Sequence, residues 1–191
     1  MIVALCSGQG RTFEAVVRIL GSLVSDLICD RPDAHVLDRA QRLNIRSQCV
    51  PRQSYPDRAS HEAAVIGALN NCSPFKVIVL LGYMRVLSPD FLDLLKSKWP
   101  ETEIINLHPA PLSLYKGAHG LKYAIQSHAP RWGVSVHRVV PELDSGPLLS
   151  YRHLEILPTD TFETLRERAH PLEVSAVLEA IDILTRRSSL S

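Results

Sequence analysis

The sequence predicts an α/β fold: an open, mostly parallel, twisted sheet with helices on both faces, antiparallel strands at one edge, and a long C-terminal helix. Two observations carry this expectation. Up to residue 107, short apolar runs of strand length alternate with amphipathic segments of helical period, at the spacing of βαβ units. Beyond residue 115 the pattern changes to two neighbouring strand-like segments followed by one long amphipathic stretch.

Taken in order, Ile2 to Cys6 is a buried strand, and Ser7-Gly8-Gln9-Gly10 turns the chain into a helix. That helix, Arg11 to Leu20, carries Phe13, Val16, Val17 and Leu20 on one face. Leu23 to Cys29 is a second apolar strand, and Asp30-Arg31-Pro32-Asp33 turns into a helix from about Ala34 to Leu43. Ile45 to Val50 is a third strand, and Ala59 to Leu69 a third helix. Val77 to Leu81 is apolar throughout, as a strand covered on both faces requires. Ser88-Pro89-Asp90 caps a helix to about Trp99, with proline in its first turn. Glu103 to Leu107 is the next strand. Parallel strands so connected take right-handed crossovers. Ala118 to Ser127 is a helix, Gly133 to Val140 alternates as a half-buried strand, and Pro147 to Tyr151 is a short strand pairing with it. Thr161 to about Thr185 is a helix interrupted or kinked at Pro171.

No repeat or low-complexity linker divides residues 1–191, so a single domain is expected. Lys plus Arg number 21 against 20 Asp plus Glu, which leaves no cationic excess for a nucleic-acid surface. Cys6, Cys29, Cys49 and Cys72 form no CxxC pair, so no metal site is expected. The first three sit in strand-like stretches and are expected to be buried, reduced thiols. The apolar run at Met1 to Cys6 is too short for a signal peptide or membrane span, and a cytoplasmic protein with no membrane partner is expected.

Two segments bear chemistry. Ser7-Gly8-Gln9-Gly10-Arg11-Thr12 joins the first strand to the first helix, where free amides, a guanidinium and a hydroxyl suit an anion. It matches neither GxGxxG nor a Walker loop, and a purely structural turn is the equal alternative. The second is Ile105-Asn106-Leu107-His108-Pro109, a strand that ends in a polar loop, where open α/β sheets place their sites. Asn106 and His108 lie two apart and share a face. Asp144, in Glu142-Leu143-Asp144-Ser145-Gly146-Pro147, precedes a turn that can bring it to the same cleft. An acid beside an imidazole favours the ring's protonated donor form, and an amide adds a second donor for a developing oxyanion. His119 and His137 are weaker candidates, with packing the expected role of His137.

Together these segments resemble the 10-formyltetrahydrofolate-dependent formyltransferases, and among them the members that act on glycinamide ribonucleotide in purine synthesis. The likeness spans almost the whole chain. It includes Ser7-Gly8-Gln9-Gly10, Leu81-Gly82-Tyr83-Met84-Arg85-Val86-Leu87-Ser88-Pro89, Asn106-Leu107-His108-Pro109, Tyr115-Lys116-Gly117, Gly133-Val134-Ser135-Val136-His137 and Glu142-Leu143-Asp144-Ser145-Gly146-Pro147. The resemblance implies a Rossmann-like formyltransferase fold, with a nucleotide- and phosphate-binding half to about residue 100 and a catalytic and folate-binding half beyond it. It implies Asn106, His108 and Asp144 as the catalytic trio, acting through a tetrahedral intermediate. Arg58, Met84, Arg85, Val86, Leu87 and Asn106 would contact folate, and Gly10, Arg11 and Thr12 would hold the phosphate of the amine substrate. The co-substrate would be 10-formyltetrahydrofolate, without metal or nucleic acid, in a monomer or homodimer.

The chain departs from the family at three places. Thr12 stands where Asn is common. Ala110-Pro111-Leu112-Ser113 replaces Ser-Leu-Leu-Pro, and Ala169 precedes His170 where Glu is frequent. All three bear on the acceptor. The alternatives are therefore transfer to another amine, such as an amino sugar nucleotide, hydrolysis of the formyl donor, or a non-catalytic folate- or nucleotide-binding module.

Overall fold

A computed structural model describes residues 1–129 and 131–187, except the side chain of Arg187. The chain forms two compact units, Met1–Ile104 and Ile105–Ser191.

In the first unit the alternation of apolar runs produces β1 (Ile2–Cys6), α1 (Arg11–Leu20), β2 (Val24–Cys29), α2 (His35–Arg42), β3 (Arg46–Cys49), α3 (Arg58–Asn70), β4 (Val77–Leu80) and α4 (Pro89–Lys98). The strands pair in the order β3-β2-β1-β4, all parallel. β1 and β4 are buried at every position, which explains their unbroken apolar sequence. Asp57 caps α3 by accepting from Ser60 N at 2.7 Å, and Ser88 caps α4 by accepting from Phe91 N at 3.1 Å. Pro89 occupies the first turn of α4, where its missing N–H costs nothing.

β3 corrects one expectation. Its residues Arg46, Ser47 and Cys49 are exposed, and Cys49 is a free surface thiol, while Cys6 and Cys29 are buried as expected. The strand ends the row and has a polar sequence, so it need not bury a face. β3 also compensates a charge hidden within the apolar β2. Asp26 is fully buried, and its carboxylate accepts from Arg46 Nε at 2.5 Å and from Ser73 N at 3.1 Å. Burial raises the Asp26 carboxyl pKa, but the Arg46 and Ser73 hydrogen bonds outweigh it and hold the group below its ordinary value. A depressed carboxylate stabilises the fold above its unfolded pKa of about 3.9, and that contribution fades as pH falls through the lower native value. Denaturant titrations below about pH 5 should therefore show a steeper loss of stability in the wild type than in Asp26→Asn. Parallel curves would remove Asp26 as a source of acid lability.

The second unit takes β5 (Glu103–His108) from Ile105 onward, then α5 (Gly120–Gln126), β6 (Arg131–Arg138), β7 (Leu148–Glu155) and α6 (Phe162–Arg187). Here the pairing is antiparallel, in the order β5-β6-β7. β7 runs four residues beyond the expected Tyr151 because it pairs with β6 as far as Glu155↔Arg131. Of the two expectations for Pro171, interruption or kink, the first is corrected: α6 is one continuous helix through it. Leu165, Ala169, Val174, Ala176, Val177, Ala180 and Ile181 are buried along it, and the helix packs on β6 and β7. Burial on this scale outweighs the loss of one backbone donor.

The core of this unit accounts for two of the departures. Ala110 and Ala169 are fully buried in one cluster with Leu121, Ala124, Trp132, Leu154 and Leu165. Trp132 Nε1 donates to Pro109 O at 2.9 Å and Ser135 Oγ to Ala110 O at 2.7 Å, which pins the chain just after His108. Gly120 lies so close that a Cβ there would stand 2.8 Å from Pro109 O. A carboxylate at residue 169 would enter an apolar cluster. Ala169→Glu should destabilise the protein by roughly 3 kcal/mol or more. An unchanged melting temperature would show that this position opens to solvent.

Candidate active site

The end of β5 and the turn after β6 bring the expected trio together. Asp144 lies within the connection between β6 and β7, which is closed by Arg138 N donating to Pro147 O at 2.9 Å. It is buried and adopts a left-handed backbone, φ +46°, a conformation that Asp tolerates better than most residues. Its Oδ2 accepts from Gly117 N at 2.7 Å and faces His108 Nδ1 at 3.6 Å. Its Oδ1 faces Asn106 Nδ2 at 3.4 Å and His137 Nε2 at 3.4 Å. One carboxylate therefore stands between two imidazoles and an amide. Burial raises the Asp144 carboxyl pKa. The Gly117 N–H and the charge of His108 outweigh it, so the group is held below its ordinary value and is ionised at neutral pH.

His137 corrects a second expectation. It is buried, but it belongs to the polar cluster rather than to apolar packing. The signal was its register: in an antiparallel pair Asn106 lies opposite His137, and directly opposed side chains share a face. His119, the other weaker candidate, is exposed at the start of α5 with φ +72°. Gly146 explains the Ser-Gly-Pro turn. A Cβ on it would lie 1.8 Å from Arg138 O, so only glycine lets the connection fold back on β6.

In the first unit, five of the residues expected to touch folate, Arg58, Met84, Arg85, Val86 and Leu87, line a common pocket of about 300 Å³. Met84, Arg85 and Val86 are exposed along its rim, and Leu87 is buried. Three exposed residues in a row, two of them apolar, offer a surface for a flat ligand. The pocket adds residues that sequence reasoning missed: Arg52, His61, Glu62 and Tyr83. Glu62 organises one wall, accepting from Arg58 Nε at 3.0 Å, from Ser88 N at 2.9 Å and from Ser88 Oγ. Arg85 Nε donates to the buried Asp30 Oδ2 at 2.5 Å. The helical spacing of His61, Glu62 and Val65 on α3 was a visible signal for a shared face, but nothing local marked it as a pocket wall.

Gly10, Arg11 and Thr12 sit at the start of α1. Gly10 has φ +69°, and a Cβ on it would lie 2.4 Å from Val36 Cγ2, so close packing against α2 by itself requires glycine. The loop is tied down by Ser7 N donating to Gly82 O at 3.1 Å, Ser7 Oγ accepting from Met84 N at 2.8 Å, and Arg39 Nε donating to Gln9 O at 2.7 Å. The turn before α1 is thus fixed to Gly82 and Met84 through Ser7. Among the described residues, no group of three or more His, Cys, Asp or Glu side chains is arranged to hold a metal ion. No described helix is long and apolar enough to cross a membrane.

The family model described as formyl transferase matches residues 1–181, and the chain belongs to that family. Within it, the chain is 34% identical to a phosphoribosylglycinamide formyltransferase of Bacillus subtilis, over 87% of this chain and 85% of the relative. It is 29% identical to a Dictyostelium discoideum protein of the same name, over 97% of this chain and 98% of that one. The crystal structure of phosphoribosylglycinamide formyltransferase from Streptococcus pneumoniae superposes with a TM-score of 0.87 at 28% identity, covering 96% of this chain and 98% of that chain.

Proposed function

We propose that the protein transfers the formyl group of 10-formyltetrahydrofolate to the primary amine of glycinamide ribonucleotide. The observation that carries this reading is the meeting of Asn106 and His108 with the buried carboxylate of Asp144, distant from both in sequence. Relatives of the same name along nearly the full chain support the choice of acceptor. The folate supplies the formyl carbon and the nitrogen that leaves. His108, protonated beside Asp144, donates to the formyl oxygen as charge builds on it, and Asn106 donates beside it. Asp144 keeps the charge on His108 and takes part in relaying the proton lost by the amine. Arg58 and residues 84–87 hold the folate, and Gly10, Arg11 and Thr12 bind the phosphate at the helix start. A pocket that joins an apolar rim to guanidinium groups fits a flat heterocycle carrying carboxylates. The reaction needs no metal, and a cytoplasmic location suits it.

An acceptor screen with the formyl donor tests the proposal. Formyl transfer to glycinamide ribonucleotide, with no comparable rate for amino sugar nucleotides, is expected. Formate release that proceeds at the same rate without any amine would replace the transferase reading with a hydrolase.

A further inference from the structure

The backbone sets the tautomers of both imidazoles at Asp144. His108 Nε2 lies 3.0 Å from Tyr115 O, and His137 Nδ1 lies 2.8 Å from Arg138 O. A carbonyl oxygen only accepts, so each of these nitrogens carries its ring's proton. The nitrogens that face the carboxylate, His108 Nδ1 and His137 Nε2, are therefore bare whenever their rings are neutral. A bare nitrogen against a carboxylate oxygen sets lone pair against lone pair. His137 has a way out of that conflict, because its Nε2 also lies 3.2 Å from Asn106 Nδ2, a donor. For His108 Nδ1 the facing polar group is Asp144 Oδ2. A proton on His108 turns the opposition into an ion pair, whereas His137 Nε2, 3.4 Å from Asp144 Oδ1, already has a donor in Asn106 Nδ2.

We infer that His137 is a positioning residue: it stays neutral, accepts one amide proton of Asn106 through Nε2, and so fixes which end of that amide faces the reacting group. The inference rests on the formyl-transfer reading and deepens it. An asparagine amide presents a donor or an acceptor depending on a half-turn of its side chain, and the wrong end would set an oxygen against the formyl oxygen. Asp144 Oδ1 also lies 3.4 Å from Nδ2, but it lies so near His137 Nε2, at 3.4 Å, that one planar amide cannot point a separate proton at each; the proton not anchored at His137 is left for a ligand oxygen. His137 thus spends one proton of Asn106 to aim the second. It also leaves the single carboxylate to balance a single imidazolium, on His108, in a site where all three groups are buried.

Two measurements on the full chain test this. Nitrogen NMR of histidine-labelled protein near neutral pH should show His137 as the neutral tautomer protonated at Nδ1; a cationic ring or an Nε2–H tautomer would overturn the inference. In steady-state kinetics, His137→Leu should lower kcat about tenfold or more, with the KM for the formyl donor changed less than about twofold. His137→Gln, whose Oε1 offers an acceptor in place of Nε2, should restore kcat to within about threefold of wild type. In an Asn106→Ala background, His137→Leu should cost less than about twofold, because the group it positions is gone. Equal losses for the Leu and Gln variants, or an undiminished loss without Asn106, would reject a positioning role. Absence of formyl transfer by the wild type would refute the underlying reading instead, and the NMR result would still decide the tautomer.

Discussion

Asp144→Asn and His108→Ala are each expected to lower kcat for formyl transfer by about 10²–10⁴-fold while the protein stays folded. Asn is nearly the shape of Asp and tolerates the left-handed backbone found at residue 144, so this substitution removes charge without adding strain. What is lost is the reason for His108 to carry a proton. With its Nε2–H committed to Tyr115 O, a neutral His108 turns a bare Nδ1 toward the site and has no donor left for a developing oxyanion. His108→Ala removes the ring outright. Because both variants disable one unit of function, combining them should cost little more than either alone. Rapid-quench or absorbance assays of donor turnover, with donor binding measured separately, give the readout. A kcat within threefold of wild type for either variant would remove that residue from the chemistry.

The second large effect is expected at a residue that touches no substrate. Gly146→Ala would place a methyl group 1.8 Å from Arg138 O, inside the contact distance of any carbon and oxygen. The carbonyl cannot simply retreat. It also accepts from His137 Nδ1, and the amide of the same residue donates to Pro147 O. The connection that carries Asp144 must therefore lift away from β6. A loss of about 2 kcal/mol or more follows, equivalent to a melting point lower by roughly 4–8 °C in a chain of this size. Activity should fall further than stability alone explains, because Asp144 and His137 move with the loop. Native melting behaviour together with native kcat would mean that the turn adapts without cost, and that the fold-back of this connection does not hold the site.

The division between the legible and the hidden follows from the range of the interactions. The alternation of strand and helix, the cap at Ser88, and the switch to antiparallel pairing are local properties, written in periodicity and in single residue types. The convergence of Asn106 and His108 was legible too, since a two-residue step on a strand fixes their common face. That Asp144 joins them is indicated by the turn chemistry around Gly146 and by the family resemblance. The role of His137 is hidden because its strand reads as ordinary alternation, and its polar company becomes visible only once the register with β5 is known. The charge of Asp26 inside an apolar run is hidden for the same reason: its partner Arg46 is twenty residues away and meets it across a strand pair.

Sequence by itself determined the α/β class, the order of elements and the residue types able to move a proton, because each depends on neighbours a few positions apart. Tertiary structure alone decided which of eight histidines share Asp144, which nitrogen of each carries the proton, and why alanine fills positions 110 and 169. Those outcomes depend on distances of a few ångströms between segments far apart in the chain, and only folding brings such segments into hydrogen-bonding reach.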